Sequence, residues 1–293
     1  MYSLYYSTIA RKLGLAKSTD WGIAIRNCTD GYETILGNGG KVSFNVVENT
    51  EKYWYADPLL FSDEGNTWLF VEAFNKEAKK GEIGYFEIID GRAVNFQIII
   101  ETPTHMSYPF VFKYESDYYM IPETGAAKEI VLYKAESFPD KWVREKVLLS
   151  GEVYRDSTVY KDKLGKIKIL TYRQEGSHRY DVKYYLNIFS FNMENLEINK
   201  ILEVYDKDKI NRPAGHIIKV DKKMYRPAQK CSRVYGESIY VYEFDDCHNP
   251  LSGSLINELC GKNLELNNGG KIVTIHTYSQ ACGYEVIDYR CEK

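Results

Sequence analysis

Apolar and polar positions along this chain fall into short alternating runs broken by turn residues, and the runs group in fours. The first group reads Asp57-Pro58-Leu59-Leu60-Phe61, Trp68-Leu69-Phe70-Val71-Glu72, Gly81 to Ile88, and Val94 to Glu101. The second reads Tyr108-Pro109-Phe110-Val111-Phe112, Tyr118 to Glu123, Glu129-Ile130-Val131-Leu132-Tyr133, and Trp142 to Leu149. A third runs from Asp156 through Ile167 to Tyr172, Tyr185 to Phe189 and Leu196 to Val204, and a fourth from Arg212 through Met224 to Gln229, Ser238 to Tyr242 and Leu255 to Leu259. Alternation with period two marks half-buried strands, and it is clearest in the third strand of each group. Asp57 to Glu72 and Tyr108 to Glu123 share a separation of fifteen residues, the agreement in register of a true repeat. A four-strand unit recurring about every fifty residues is the signature of propeller blades.

The C-terminal remainder holds two good strands, Lys271 to Ser279 and Tyr284 to Arg290, too few for a stable blade. Two orphan strands, Trp21 to Arg26 and Val42 to Glu48, precede the first group. Placing them on the outside of the fifth blade completes it and removes the open edge. The expectation is an all-β, five-bladed β-propeller forming a single domain over 1–293. Its blades span about 56–101, 107–149, 155–204, 211–260, and 271–290 plus 21–48.

Composition narrows the picture. The 44% apolar content supports a real core, and 26 Tyr with 4 Trp suit half-buried strand surfaces. A net charge of −3 without any Lys/Arg block gives a nucleic-acid partner no footprint. The six Cys show no metal-ligand spacing. No run approaches the roughly 18 apolar residues of a spanning helix. Met1 to Lys17 lacks the continuous apolar stretch of a secretory signal. A cytoplasmic protein with reduced thiols is expected; an exported form with a disulfide is the alternative.

Propeller blades converge on one axis, so residues opening the innermost strands meet around a central cavity. These are Asp57, Tyr108, Asp156 and Arg212, with His276 on the fifth inner strand. Glu72 and Glu123 end second strands, and Tyr172 and Gln229 stand near the equivalent places in blades three and four. Buried carboxyl groups in one cavity have unequal surroundings, which separates their pKa values into acid and base roles, as glycoside cleavage requires. The plainer reading is structural: Asp57 and Asp156 cap turns, and Glu72 and Glu123 bridge to Arg212 or Arg226. Arg212, Arg226 and Gln229 suit an anionic ligand, unless the two Arg only neutralise the acids around them. His105 precedes the second opening, while His178 and His248 fall in predicted loops. The chain has no phosphate loop, HExxH or nucleophile elbow. The sequence requires no cofactor and leaves room for a single divalent cation in the central channel.

Five ordered segments carry a resemblance: His105-Met106-Ser107-Tyr108-Pro109-Phe110, Ile121-Pro122-Glu123-Thr124, Phe138-Pro139-Asp140-Lys141-Trp142, Arg212-Pro213-Ala214-Gly215 and Tyr225-Arg226-Pro227-Ala228-Gln229. They resemble the propeller domain at the N-terminal side of plant glucosamine inositolphosphorylceramide transferases, over about Trp21 to Arg290. Bacterial relatives of that domain occur with polysaccharide-synthesis and sugar formyltransferase genes. In the plant proteins a separate C-terminal domain carries the glycosyltransferase motifs, for which this chain has no room. More distantly, the chain is similar to five-bladed family-43 glycoside hydrolases and their clan. That resemblance implies Asp57 as general base and Asp156 as a member of the acidic set, with Glu123 chosen as proton donor. Tyr108 stands where another clan acid is expected, and Arg212 has no counterpart in that pattern, departures that count against plain hydrolysis.

The expected function is a carbohydrate-active propeller enzyme of glycan or surface-polysaccharide metabolism with a glycoside-hydrolase-like acidic centre. Asp57, Glu123 and Asp156 are the catalytic candidates. Glu72, His105, Tyr108, Arg212, Arg226, Gln229 and His276 line the ligand site for a carbohydrate or sugar phosphate. The alternatives are a glycosyltransferase, or a transfer partner of polysaccharide-synthesis proteins, using a phosphate-bearing sugar donor, and a non-catalytic glycan-binding module.

Overall fold

The computed structural model describes residues 20–28, 31–37, 40–176, 181–244 and 253–292. Five antiparallel sheets follow one another around a ring. Blade one comprises β3 (Tyr53–Asp63), β4 (Asn66–Asn75), β5 (Lys80–Ile89) and β6 (Arg92–Ile100), paired in chain order. Blade two is β7 (Ser107–Tyr114), β8 (Asp117–Thr124), β9 (Glu129–Ser137) and β10 (Lys141–Ser150). Blade three is β11 (Val153–Lys161), β12 (Ile167–Glu175), β13 (Lys183–Asn192) and β14 (Glu197–Tyr205). Blade four begins with a broken inner strand, β15 (Arg212–Pro213) and β16 (Ile218–Val220), then β17 (Lys223–Lys230), β18 (Ser238–Phe244) and β19 (Leu255–Leu259).

The fifth blade is built from both ends of the chain. β23 (Tyr284–Cys291) carries β21 (Ile272–Thr274) and β22 (Tyr278–Ala281) on its inner side and β1 (Gly22–Asn27) on its outer side. β2 (Val42–Val47) follows β1, and β20 (Leu264–Leu266) adds a parallel outermost strand that the alternation did not foretell. The N-terminal strands therefore close the ring, as expected. The single inner strand expected over Lys271 to Ser279 is instead two pieces, with His276 and Thr277 in the break between them.

Period-two alternation explains the packing. Leu69, Val71 and Ala73 point from β4 toward Ile23, Ile25 and Val286 of blade five, whereas Phe70 points the other way, toward Met106, Val111 and Met120 of blade two. Comparable apolar seams join blades two and three, three and four, and four and five. Among the described residues no helix is long and apolar enough to cross a membrane. The stretch Met1 to Lys17 lies outside the described residues.

The closing seam also holds a buried ion pair. Arg26 Nε lies 2.7 Å from Glu285 Oε2, whose carboxylate also accepts Thr34 Oγ1–H at 2.8 Å and Tyr278 Oη–H at 2.6 Å. Removing one partner of a buried pair strands the other charge, a loss of about 3 kcal/mol or more. Arg26→Ala should therefore lower unfolding stability by about 3 kcal/mol in a denaturant titration. An unchanged midpoint would mean that strand pairing alone closes the ring.

Candidate functional site in the central funnel

Three blades open on the same backbone device. At Asp57, Tyr108 and Asp156 the ladder slips by one residue, between Ala56 and Leu59, Ser107 and Phe110, and Arg155 and Thr158. All three residues are left-handed, with φ of 49°, 47° and 48°. Such a bulge turns a side chain out of the sheet plane. A left-handed non-glycine residue costs on the order of 1 kcal/mol, so contacts elsewhere must hold it there. Blade four makes its break at Gly215 (φ 136°), where a Cβ would sit 1.8 Å from Tyr278 O. Only glycine lets the fourth inner strand pass this close to the fifth.

Asp57 is fixed from two neighbouring blades. Its Oδ2 accepts Tyr108 N–H at 3.1 Å, and its Oδ1 accepts Thr277 Oγ1–H at 2.9 Å and lies 3.1 Å from His276 Nε2. On the other side of the ring, His276 Nδ1 lies 3.0 Å from Asp288 Oδ2. Asp288, fully buried on β23, also accepts the backbone N–H groups of His276, Thr277 and Asp57. Burial disfavours the His276 charge, yet Asp288 and Asp57 outweigh it and hold the imidazolium far above its ordinary pKa. Burial likewise pushes Asp57 up, but the His276 charge and the hydrogen bonds from His276 and Thr277 bring it below the usual range. Both His276 nitrogens thus face carboxylates. Donor atoms of Asp57, His276 and Asp288 lie within 4.8 Å of one another; as the trio stands the imidazolium satisfies both carboxylates, and a cation held there would have to displace its proton.

Glu123 and Asp156 meet the guanidinium groups. Arg155 Nη1 donates to Glu123 Oε1 at 2.7 Å, and Arg212 Nη2 to Oε2 at 3.2 Å. Arg212 also bonds Asp156 through Nε at 2.5 Å and Nη2 at 3.0 Å, while Gln229 Nε2 donates to Asp156 at 2.6 Å. Against the pull of burial, the two guanidinium groups hold Glu123 below its ordinary range. Asp156 is pushed up to about 8, by burial first and then by the nearby Glu123 and Asp57 charges, which together outweigh Arg212. The blade-to-blade bridge weighed for Glu123 is therefore formed, and it comes from Arg212.

Glu72 has a different environment. It is buried, and burial first, then the Asp57 charge, pushes its pKa well above the ordinary carboxyl value, which favours the protonated form. Its Oε1 is buried with no hydrogen-bond partner among the described residues, and His105 Nε2 faces it at 3.5 Å.

The remaining candidates divide. Tyr108 does not point into the funnel mouth: its hydroxyl spans the axis, bonding Thr158 Oγ1 at 2.8 Å and accepting Gly215 N–H at 2.7 Å. With Leu59 and Phe110 it forms a small buried apolar cluster. His216, unmarked in the sequence, lies tilted against Phe110 with ring centroids 4.7 Å apart and meets Ser279 Oγ at 3.0 Å, and burial lowers its pKa to about 4. Arg226 bonds Asn211 and lies over Tyr242, with none of the central acids as a partner. Tyr172 donates to Asp206. His178 and His248 lie outside the described residues.

Sequence reasoning missed Arg155, Asp288 and Tyr235. Asp288 had a visible signal, an acid directly after the apolar pair Val286-Ile287 and on the same strand face as Val286. Tyr235 had none: it stands in the turn between β17 and β18, its ring 5.5 Å from the Arg212 guanidinium and 5.1 Å from His276.

Residues 44–250 match the family described as glucosamine inositolphosphorylceramide transferase 1, N-terminal. The chain belongs to this family. Glucosamine inositolphosphorylceramide transferase 1 of Oryza sativa subsp. indica is 32% identical over 194 residues, covering 65% of this chain and 26% of that protein. Its Arabidopsis thaliana counterpart is 27% identical over 194 residues, covering 65% and 25%. The chain thus spans about a quarter of the length of these relatives. Among solved structures, the catalytic domain of the Coprinopsis cinerea GH62 α-L-arabinofuranosidase superposes with a TM-score of 0.62 at 11% identity, covering 94% of this chain and 98% of that one. A GH43 β-xylosidase/α-arabinofuranosidase from a compost metagenome gives 0.56 at 13% identity, covering 83% and 91%. At these identities the likeness establishes the shared propeller fold.

The His276 pair has a pH signature. A pKa raised on folding gives stability that is complete below the free-imidazole value of about 6.5 and is lost as pH rises through the folded value. The excess in Tm of the wild type over His276→Gln should therefore be largest near pH 6 and shrink toward alkaline pH. A constant difference would mean that His276 is not charged in the fold.

Proposed function

We propose that this domain is a carbohydrate-active propeller enzyme whose funnel supplies Glu72 as the proton donor and Asp57 as the charged carboxylate. One arrangement carries this: on adjacent strands of blade one, Asp57 accepts Tyr108 N–H and Thr277 Oγ1–H and faces His276 Nε2 at 3.1 Å, whereas buried Glu72 Oε1 has no hydrogen-bond partner among the described residues. Asp57 is ionised by His276, and burial beside that charge favours the protonated form of Glu72. Separation of two carboxyl groups into acid and base is what glycosidic-bond cleavage needs. The donor role chosen for Glu123 from sequence passes to Glu72, because two guanidinium groups hold Glu123 as a carboxylate. Asp156 then orients Arg212 and Gln229 behind the reacting pair. The named activities of the solved neighbours, arabinofuranosidase and xylosidase, make aryl pentosides the first substrates to try.

Glu72→Gln should reduce kcat on a cleaved aryl glycoside by about 10²–10⁴-fold, the range of a lost general acid, with the fold retained by circular dichroism. Unimpaired turnover in that variant would overturn the assignment, and binding without turnover in the wild type would favour a glycan-binding module.

A second reading, transfer from a phosphate-bearing sugar, draws on the other wall of the funnel. Among the described residues, Arg212 Nη1 and the Tyr235 hydroxyl have no recorded hydrogen bond, and neither is a sealed buried atom. Guanidinium edges of this kind suit phosphate oxygens. Arg155, whose side chain is 28% exposed, stands beside them. On this reading Arg155→Ala weakens binding of a sugar phosphate by about tenfold or more in calorimetry while leaving a neutral sugar unaffected. Equal weakening of both ligands would exclude it.

A further inference from the structure

We propose that His105 is a positioning residue for Glu72: its Nε2–H faces Oε1 and so leaves the carboxyl proton on Oε2, the oxygen that is not sealed from solvent. The inference rests on the reading of Glu72 as acid and deepens it.

The geometry starts at a glycine. Gly81 N–H donates to His105 Nδ1 at 2.8 Å, and Gly81 O accepts Met106 N–H at 3.0 Å. A Cβ at residue 81 would sit 2.2 Å from Met106 O, 2.7 Å from Glu72 Oε1 and 2.9 Å from His105 Cε1, so a side chain there would push the acid and the imidazole apart. With Nδ1 accepting a backbone proton, the neutral ring carries its own proton on Nε2. Burial favours that neutral ring. The contact of 3.5 Å between Nε2 and Oε1 is longer than a formed hydrogen bond, as in many catalytic pairs before ligand binds. Oε1 is buried and has no other partner among the described residues, so an acid proton placed there would point at the N–H of the ring. The stable arrangement has Oε1 accepting and Oε2 protonated. When Oε2 gives its proton to a leaving oxygen, the carboxylate left behind is still faced by the same N–H, and a solvent proton restores the acid. The imidazole spans the two environments, since its side chain is 40% exposed whereas that of Glu72 is 7% exposed.

The test is infrared difference spectroscopy on the intact chain near neutral pH, with kinetics alongside. The wild type should show a protonated-carboxyl C=O band that Glu72→Gln removes. His105→Asn keeps an acceptor for Gly81 N–H but cannot reach Glu72. It should move that band to higher frequency and lower kcat about tenfold at unchanged KM, the effect of one hydrogen bond. His105→Gln, whose amide can reach Oε1, should restore both. A band that stays in place in His105→Asn, or the absence of any band lost with Glu72, overturns the proposal. If the band shifts but no saccharide is turned over, the positioning stands and the acid reading falls.

Discussion

The imidazolium of His276 is the charge on which the centre depends. It stands between Asp57 on blade one and Asp288 on blade five, with both carboxylates removed from water. Without it, two buried anions would face each other at a cost of several kcal/mol. With it, Asp57 stays ionised at the heart of the ring, and that fixed negative charge then discourages Glu72 from losing its proton. The cation governs Asp57, whereas Glu72 is pushed up first by its own burial and then by the Asp57 charge, with His276 pulling the other way. The same chain of contacts crosses the seam where the chain ends meet, because β23 carries Asp288 and also pairs with β1. Ring closure and the electrostatics of the funnel are one structural event.

The opposite wall is built on a different balance. Glu123 and Asp156 share Arg212, Arg155 covers the far side of Glu123, and Gln229 completes the bonding of Asp156. Here the two guanidinium groups bond both acids, and guanidinium edges remain for a ligand. Below both walls Tyr108 ties blade two to blades three and four. One wall thus carries the Asp57 and Glu72 carboxyl groups, and the other the guanidinium groups of Arg155 and Arg212. That asymmetry is why both cleavage and handling of an anionic sugar find support in one cavity.

Much of the fold was legible because its determinants are local. The equal spacing from Asp57 to Glu72 and from Tyr108 to Glu123 became two superimposable hairpins, with Ala56 opposite Glu72 and Ser107 opposite Glu123 across a bulge of the same kind. The pooling of terminal strands into one blade followed from counting strands against an edge that must be closed. The broken fourth inner strand was not legible, since it is imposed by contact between Gly215 and Tyr278 of the next blade. The site was legible by position more than by role. Openings of inner strands did mark Asp57, Asp156 and Arg212, but Arg226, two strands' width of reasoning from the same repeat, packs against Tyr242 instead.

The sequence by itself determined the strands, their grouping into five blades and the residues brought toward the axis, because period-two alternation and turn chemistry act over a few neighbouring residues. Only the tertiary structure decided which buried carboxyl groups face a cation, which one lacks a partner, and which side chains pack beneath them. Those properties are sums of burial and charge over groups from different blades, such as Glu72 beside Asp57 or Glu123 between Arg155 and Arg212. No local pattern contains such a sum, and it comes into existence when the ring closes.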